Sequence, residues 1–366
     1  MCKTKKIVSI IVVMVLGLIL QNIFDWNIGE LQAKKQKDKN ASSSVLNVYT
    51  WVEYIDPEIF SEFGKEFHVK VNVDYYDLED EMFSLVQSKP GMYDLVFPSE
   101  SSMDIMINSQ LLLKLDKRRI PNEKNLKARF RTIINRKWKE YCIPIDWGVT
   151  GIAYNAKYVK EPVDSWNVFW NQKYKGHMAL VDDPYEVFSV GQKRLGYSLN
   201  PKDSYVLDEA LKILKELKPL LHDKYFMAYN KIKEKLKSEE LWIAQCYNGD
   251  AAFLVEENSN MNFVIPKEGT SFWIDTVAIP IGAKNKRLAE EFINFMLRPE
   301  IGAKQINYSY YAGCNKKAWA FVDKQLLRNP YIYIDRKEIN RLELYEILNP
   351  EIQRKFNECW AELVKY

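Results

Sequence analysis

LNVYTWVEYIDPEIFSEFGKEFHVKVNVDYYDLEDEMFSLVQSKPGMYDLVFPS (residues 46–99) alternates short apolar runs with amphipathic stretches. LNVYTW, VKVNVDYY and YDLVFPS read as strands, being rich in β-branched and aromatic residues. Between the first two, Asp56-Pro57-Glu58 sets up a helix start, with Asp as cap, Pro in the first turn and Glu at the positive end of the dipole. Leu78 to Ser88 reads as a second helix. Strand–helix alternation of this kind predicts an α/β fold built on a parallel sheet. Ligands of such sheets sit beyond the carboxyl ends of the strands, where this stretch places Trp51, Glu53, Tyr54 and Ser99.

The pattern continues outward. TGIAYNA (150–156), HMALVDD (177–183), LWIAQCYN (241–248) and WIDTVAIPI (273–281) read as strands. Helices are expected over 185–195, 203–217, 229–236 and 286–297, the last one stopped by Arg298-Pro299. An α/β body of this length predicts two lobes with a ligand cleft between them.

Ahead of the body, Lys3, Lys5 and Lys6 precede the apolar run that starts at Ile7, the layout of an export signal. Ile7–Phe24 is 18 residues long, the lower limit of a membrane span, so residues 1–26 are either a signal peptide or an uncleaved membrane anchor. Residues 27–44 form a polar linker. Both fates place the body outside the cytoplasm. Without residues 1–44 the chain carries 45 basic and 46 acidic residues, and no basic stripe argues for nucleic acid. The five cysteines show no CxxC spacing and read as buried thiols.

Enzyme signatures are missing. The chain has no GxSxG, GxxxxGK[ST], HExxH or strand-borne GxGxxG, and its three histidines are scattered. What recurs instead is an acidic residue beside aromatics at a strand end: Trp51-Val52-Glu53-Tyr54, Tyr247-Asn248-Gly249-Asp250 and Trp273-Ile274-Asp275. Period-two alternation puts Trp273 and Asp275 on one face. An aromatic wall beside a carboxylate suits an alkylammonium ion, because the ring face attracts the cation and the carboxylate takes its N–H donors.

In that order along the chain, LNVYTWVEYI, YDLVFPSESSMDIM, IPIDWGVTGIAYN, VDDPYEVFSVGQKRLGYS, YNGDAAF, PKEGTSFWIDTVAIPIGAKNK and INFMLRPE resemble the spermidine/putrescine-binding proteins, the solute receptors of polyamine ABC importers. The resemblance implies a two-lobed periplasmic-binding-protein fold of type II. Lobe 1 would comprise 45–148 with 276–318, and lobe 2 would comprise 149–275 with 319–366. It further implies a periplasmic or extracytoplasmic monomer that passes a polyamine to permease subunits, with no cofactor, no metal and no catalysis. The family's ligand contacts fall on Trp51, Glu53, Tyr54, Ser99, Asp183, Glu186, Trp273, Asp275 and Tyr311, with Tyr247 where many members carry Trp and Asp250 where putrescine-type members place a carboxylate. Ser101 stands where spermidine-preferring members often have Tyr, and Cys314 replaces a usual Pro, which is expected to loosen the loop after Tyr311. The family's C-terminal glutamine finds no counterpart. Three other readings remain beside the transport one: a polyamine sensor or surface protein, a receptor for another small cation, and a hydrolase built on Asp183 and Glu186.

Overall fold

The computed structural model describes residues 45–134 and 138–366; the leader and linker, 1–44, lie outside the described residues. Two long strands organise the molecule. β5 (Cys142–Asn155) and β10 (Thr270–Pro280) run antiparallel along one another, paired from Phe272↔Val149 to Ala278↔Cys142. Lobe 1 grows from the β10 side of this ribbon through β3 (Leu95–Val96), β1 (Val45–Trp51) and β2 (Lys70–Tyr76). Lobe 2 grows from the β5 side through β8 (Ile243–Tyr247), β6 (Met178–Val181) and β7 (Phe226–Met227).

β1 is parallel to β2 and β3, as the alternation predicts. The sheet as a whole is mixed, because β10 returns from the other lobe and runs antiparallel to both β3 and β5. The YDLVFPS strand shrinks to two residues: Pro98 has no N–H to donate, and only its carbonyl is used, by Thr276 N at 2.9 Å. Asp56 caps helix Pro57–Phe67 by accepting from Glu58 N at 2.8 Å. Arg298-Pro299 ends one helix, Lys286–Met296, and also opens the next, Pro299–Ser309, with Pro in its first turn where a missing N–H costs nothing.

One apolar core fills lobe 1, and two cores cover the two faces of the lobe 2 sheet. Neighbouring residues on the lobe 2 strands alternate between these faces: Leu180 and Ile243 point to one, Ala179 and Ala244 to the other. The chain passes from lobe 1 to lobe 2 later than the expected 318/319 boundary. Val322, Leu326 and Ile332 still pack in the lobe 1 core, while Leu348, Ile352, Phe356 and Leu363 belong to lobe 2. Cys142, Cys246, Cys314 and Cys359 are buried free thiols. Cys314 does not loosen its loop, since its N–H donates to Ile145 O at 2.7 Å and its carbonyl accepts from Lys127 N at 2.9 Å.

Gly148, mid-way along β5, is where the ribbon is packed most tightly against the cleft. A Cβ there would stand 2.3 Å from both Asn248 Oδ1 and Trp273 Cζ2. Gly148→Ala is therefore expected to destabilise the fold by roughly 1–3 kcal/mol and to displace Trp273, read by urea denaturation followed through tryptophan fluorescence. An unchanged midpoint would show that the site has more room than this packing allows.

Candidate functional site

A cavity of about 340 Å³ lies between the lobes, and all eleven residues anticipated from sequence border it. Trp51, Tyr247, Trp273 and Asp275 lie on strands, Glu186 and Asp250 in the first turns of helices, and the other five in the loops between.

The aromatic wall is edge-on and continuous. Ring centroids are 5.0 Å apart for Trp273–Tyr311, 5.6 Å for Tyr247–Trp273 and 6.3 Å for Tyr229–Tyr247. The first two contacts are T-shaped and the third is tilted, an arrangement that holds each ring without covering its whole face. Trp51 is pinned by its indole N–H donating to Phe97 O at 3.0 Å. Gly249 permits the wall to close: a Cβ there would fall 2.3 Å from the Tyr311 ring.

The carboxylates divide into three groups. At one end, Asp183 caps helix Pro184–Arg194 by accepting from Glu186 N at 3.0 Å, and Glu186 accepts from Ser271 Oγ at 2.7 Å. In the middle sits Asp275, placed by a β-bulge in which Ile145 and Asp146 of β5 oppose the single residue Asp275 of β10. Asp275 also bridges backbone-to-backbone with Ser99, and Tyr54 lies against both Asp146 and Asp275. At the other end, Asp250 accepts from the Tyr311 hydroxyl at 2.8 Å, and Glu53 stands beyond it with a left-handed backbone, φ 54.

Several lining residues escaped the sequence reading. Asp77, Glu79, Glu100 and Asp182 add carboxylates, and Tyr229, Lys233 and Tyr345 add polar tips. The strand-end rule held the signal for the acids: Asp77 and Glu79 follow β2, Glu100 follows Ser99, and Asp182 follows β6. Glu79 accepts from both Ser99 N at 2.6 Å and Ser99 Oγ at 2.7 Å, and Ser101 Oγ is 2.8 Å from Ser99 Oγ. Tyr345 arrives from the C-terminal segment, which is fastened to lobe 2 by Glu343 through Lys193 and Ser198.

Burial dominates the electrostatics. It pushes Glu79 up to about 7, Asp183 up to about 6 and Glu186 up to about 8, in each case against hydrogen bonds that favour the charged form. Asp275 is also raised well above the carboxylate range, by burial and then by Asp146 and Glu79. Among the described residues, no Lys, Arg or His forms an ion pair with Glu79, Asp183, Glu186 or Asp275. The cleft is thus lined by acids whose charged forms have no protein counter-ion, except at Glu53 and Asp250, which face Lys233. No group of His, Cys, Asp and Glu among the described residues has the arrangement of a metal site.

Comparison with known proteins agrees with this geometry. Residues 58–330 match the model of a family described as bacterial extracellular solute-binding protein. The chain belongs to that family. Among the relatives of this solute-binding protein is the spermidine/putrescine-binding periplasmic protein of Escherichia coli K12, 32% identical over 82% of this chain and 86% of that one. The putrescine-binding periplasmic protein SpuD of Pseudomonas aeruginosa is 31% identical over 88% of this chain and 92% of that one. Among solved structures, a Listeria monocytogenes protein assigned to spermidine/putrescine ABC transport superposes with a TM-score of 0.83 at 33% identity, covering 88% of this chain and all of the other. The substrate-binding protein PotD of Streptococcus pneumoniae gives 0.74 at 30%, over 88% of this solute-binding protein and 99% of the other. The two-lobed fold is therefore that of a solute-binding protein.

The raised carboxylates set a pH dependence. A cationic ligand binds the ionised forms, so protons leave Asp183, Glu79 and Glu186 on binding wherever the pH lies below about 6, 7 and 8 respectively. Because these pKa values are raised by folding, the empty protein gains stability from the groups at low pH and loses it as pH rises through those values. Amine affinity should consequently climb between pH 5.5 and 8, and the ligand-induced rise in Tm should widen over that interval, measured by calorimetry and thermal melts at roughly half-unit steps. A flat profile would mean that these carboxylates are already ionised in the empty cleft.

Proposed function

We propose that this solute-binding protein captures a polyamine, putrescine or spermidine, and delivers it unchanged to the permease of an ABC importer. The observation that carries the reading is an aromatic wall of Tyr247, Trp273 and Tyr311 flanked by buried carboxylates that have no protein cation beside them. Alkyl chains pack on the rings, cation–π attraction adds to that packing, and the ammonium groups satisfy the carboxylates. Trp51, Glu53, Tyr54, Ser99, Asp183, Glu186, Tyr247, Asp250, Trp273, Asp275 and Tyr311 form the ligand site in this reading.

Support comes from the relatives named above for spermidine and putrescine, matched over most of both chains. Lobe closure is then coupled to the ligand. Bringing buried carboxylates together without cations costs free energy that ammonium groups offset. The protein works outside the cytoplasm as a monomer, held at the membrane by residues 1–26 or released from them, and has no nucleic-acid role.

Titration calorimetry on protein unfolded and refolded to strip bound amine tests the reading, with putrescine, cadaverine, spermidine and spermine compared at two salt concentrations. Saturable one-to-one binding of one or two of them is expected. Asp275→Asn should weaken the best ligand by about 2 kcal/mol or more, roughly thirtyfold, by leaving an ammonium without its buried partner. Normal binding by that variant would move the site away from the bulge.

A further inference from the structure

One cation already stands in the cleft. Lys233, on helix Tyr229–Lys237 of lobe 2, places its ammonium 2.7 Å from Glu53 Oε2 of lobe 1 and 3.5 Å from Asp250 Oδ1 of lobe 2. Its side chain is only 16% exposed and borders the cavity. The same helix is tied to lobe 1 twice more, by the Tyr229 hydroxyl donating to Val52 O and by Asn230 Nδ2 donating to Asp77 Oδ1 at 3.1 Å. The ammonium is therefore held in position by a short, three-point fastening of the helix.

The consequence is an uneven distribution of unmet charge. Asp250 spends one oxygen on the Tyr311 hydroxyl and faces Lys233 with the other, and Glu53 is paired with Lys233. Asp275, Asp183, Glu186 and Glu79 have no such cation among the described residues. A ligand ammonium entering at the Glu53–Asp250 end would have to displace a tethered one. An ammonium entering at Asp275 or at the Asp183–Glu186 end meets acids held only by neutral donors, with no protein cation beside them.

We propose that Lys233 is a built-in ammonium that fills the cation subsite between Glu53 and Asp250, so that the cleft selects diamines over triamines. The inference rests on the polyamine reading, adds a residue and a direction of selectivity to it, and takes Glu53 and Asp250 out of direct contact with a ligand ammonium. Like-charge opposition is an economical way to set selectivity, since it rejects the longer amine while leaving the contacts to the shorter one intact.

The test is calorimetry of putrescine and spermidine on the wild-type chain, Lys233→Gln and Lys233→Arg, with thermal melts confirming that each is folded. Wild type should bind putrescine more tightly than spermidine. Lys233→Gln vacates the subsite and should tighten spermidine by about tenfold or more while moving putrescine by no more than about threefold; Lys233→Arg should keep the wild-type order. Equal weakening of both amines in Lys233→Gln would make Lys233 a clasp between lobes and overturn the selectivity role. A wild-type preference for spermidine would overturn it without any variant. No binding of any amine to wild type would instead overturn the polyamine reading on which it stands.

Discussion

The pairing of β5 with β10 sets the middle of the cleft, because β10 carries Trp273 and Asp275 and holds Glu186 through Ser271. Among the described residues these strands are the longest, and each belongs to both lobes. Their shared hydrogen-bond ladder is what allows two separately packed cores to present side chains to a common space. The bulge opposite Asp275 is the point where that ladder gives way, and it aims a carboxylate at the cleft with a second one, Asp146, behind it. Asp146 is itself pushed up to about 7 by burial, with Gln305 donating to it at 3.0 Å. The bulge leaves the Asp275 backbone without a β5 partner, and it bridges to Ser99 instead.

Packing and electrostatics oppose one another here. The cores favour a closed, dry interface, whereas the acids lining it resist being dried. Hydrogen bonds from Ser99, Ser271, Gln245 and the start of helix Pro184–Arg194 relieve part of that resistance without adding positive charge. Neutral donors of this kind orient a carboxylate and leave its charge to attract a cation. Lys233 is the exception, and it stands at one end only.

How much of this was legible in the sequence depended on whether a residue carried its own local signal. Asp56-Pro57-Glu58 announced a helix start that the cap geometry matches. Trp273 and Asp275 sit beside aromatics in a strongly apolar run, so their shared direction followed from strand periodicity, although the bulge between the strands did not. Lys233 had no such signal: YNKIKEKLK reads as an ordinary amphipathic helix with a solvated lysine face, and only the tertiary approach of Glu53 separates this lysine from its neighbours. The mixed sheet was hidden for a related reason. Strand direction relative to a partner far away in sequence is set by which lobe the chain returns from, and short-range alternation carries no record of that. Val322, Leu326 and Ile332 tie the 319–332 segment to the lobe 1 core, a long-range contact that three separated apolar residues do not announce.

The position of β10 between β3 and β5 also governs the order in which the molecule can assemble. Between β3 and β5 the one further strand is the two-residue β4 (Leu112–Leu113), and β4 itself pairs with β10. No local pairing can therefore complete lobe 1, because the strand that joins its halves is not present until most of the polypeptide has emerged. Lobe 2 waits as well, since its core is completed only by Leu348, Ile352, Phe356 and Leu363 of the C-terminal segment. A chain with this wiring is open at one sheet through most of its synthesis, a state that is slow to close and easy to thread.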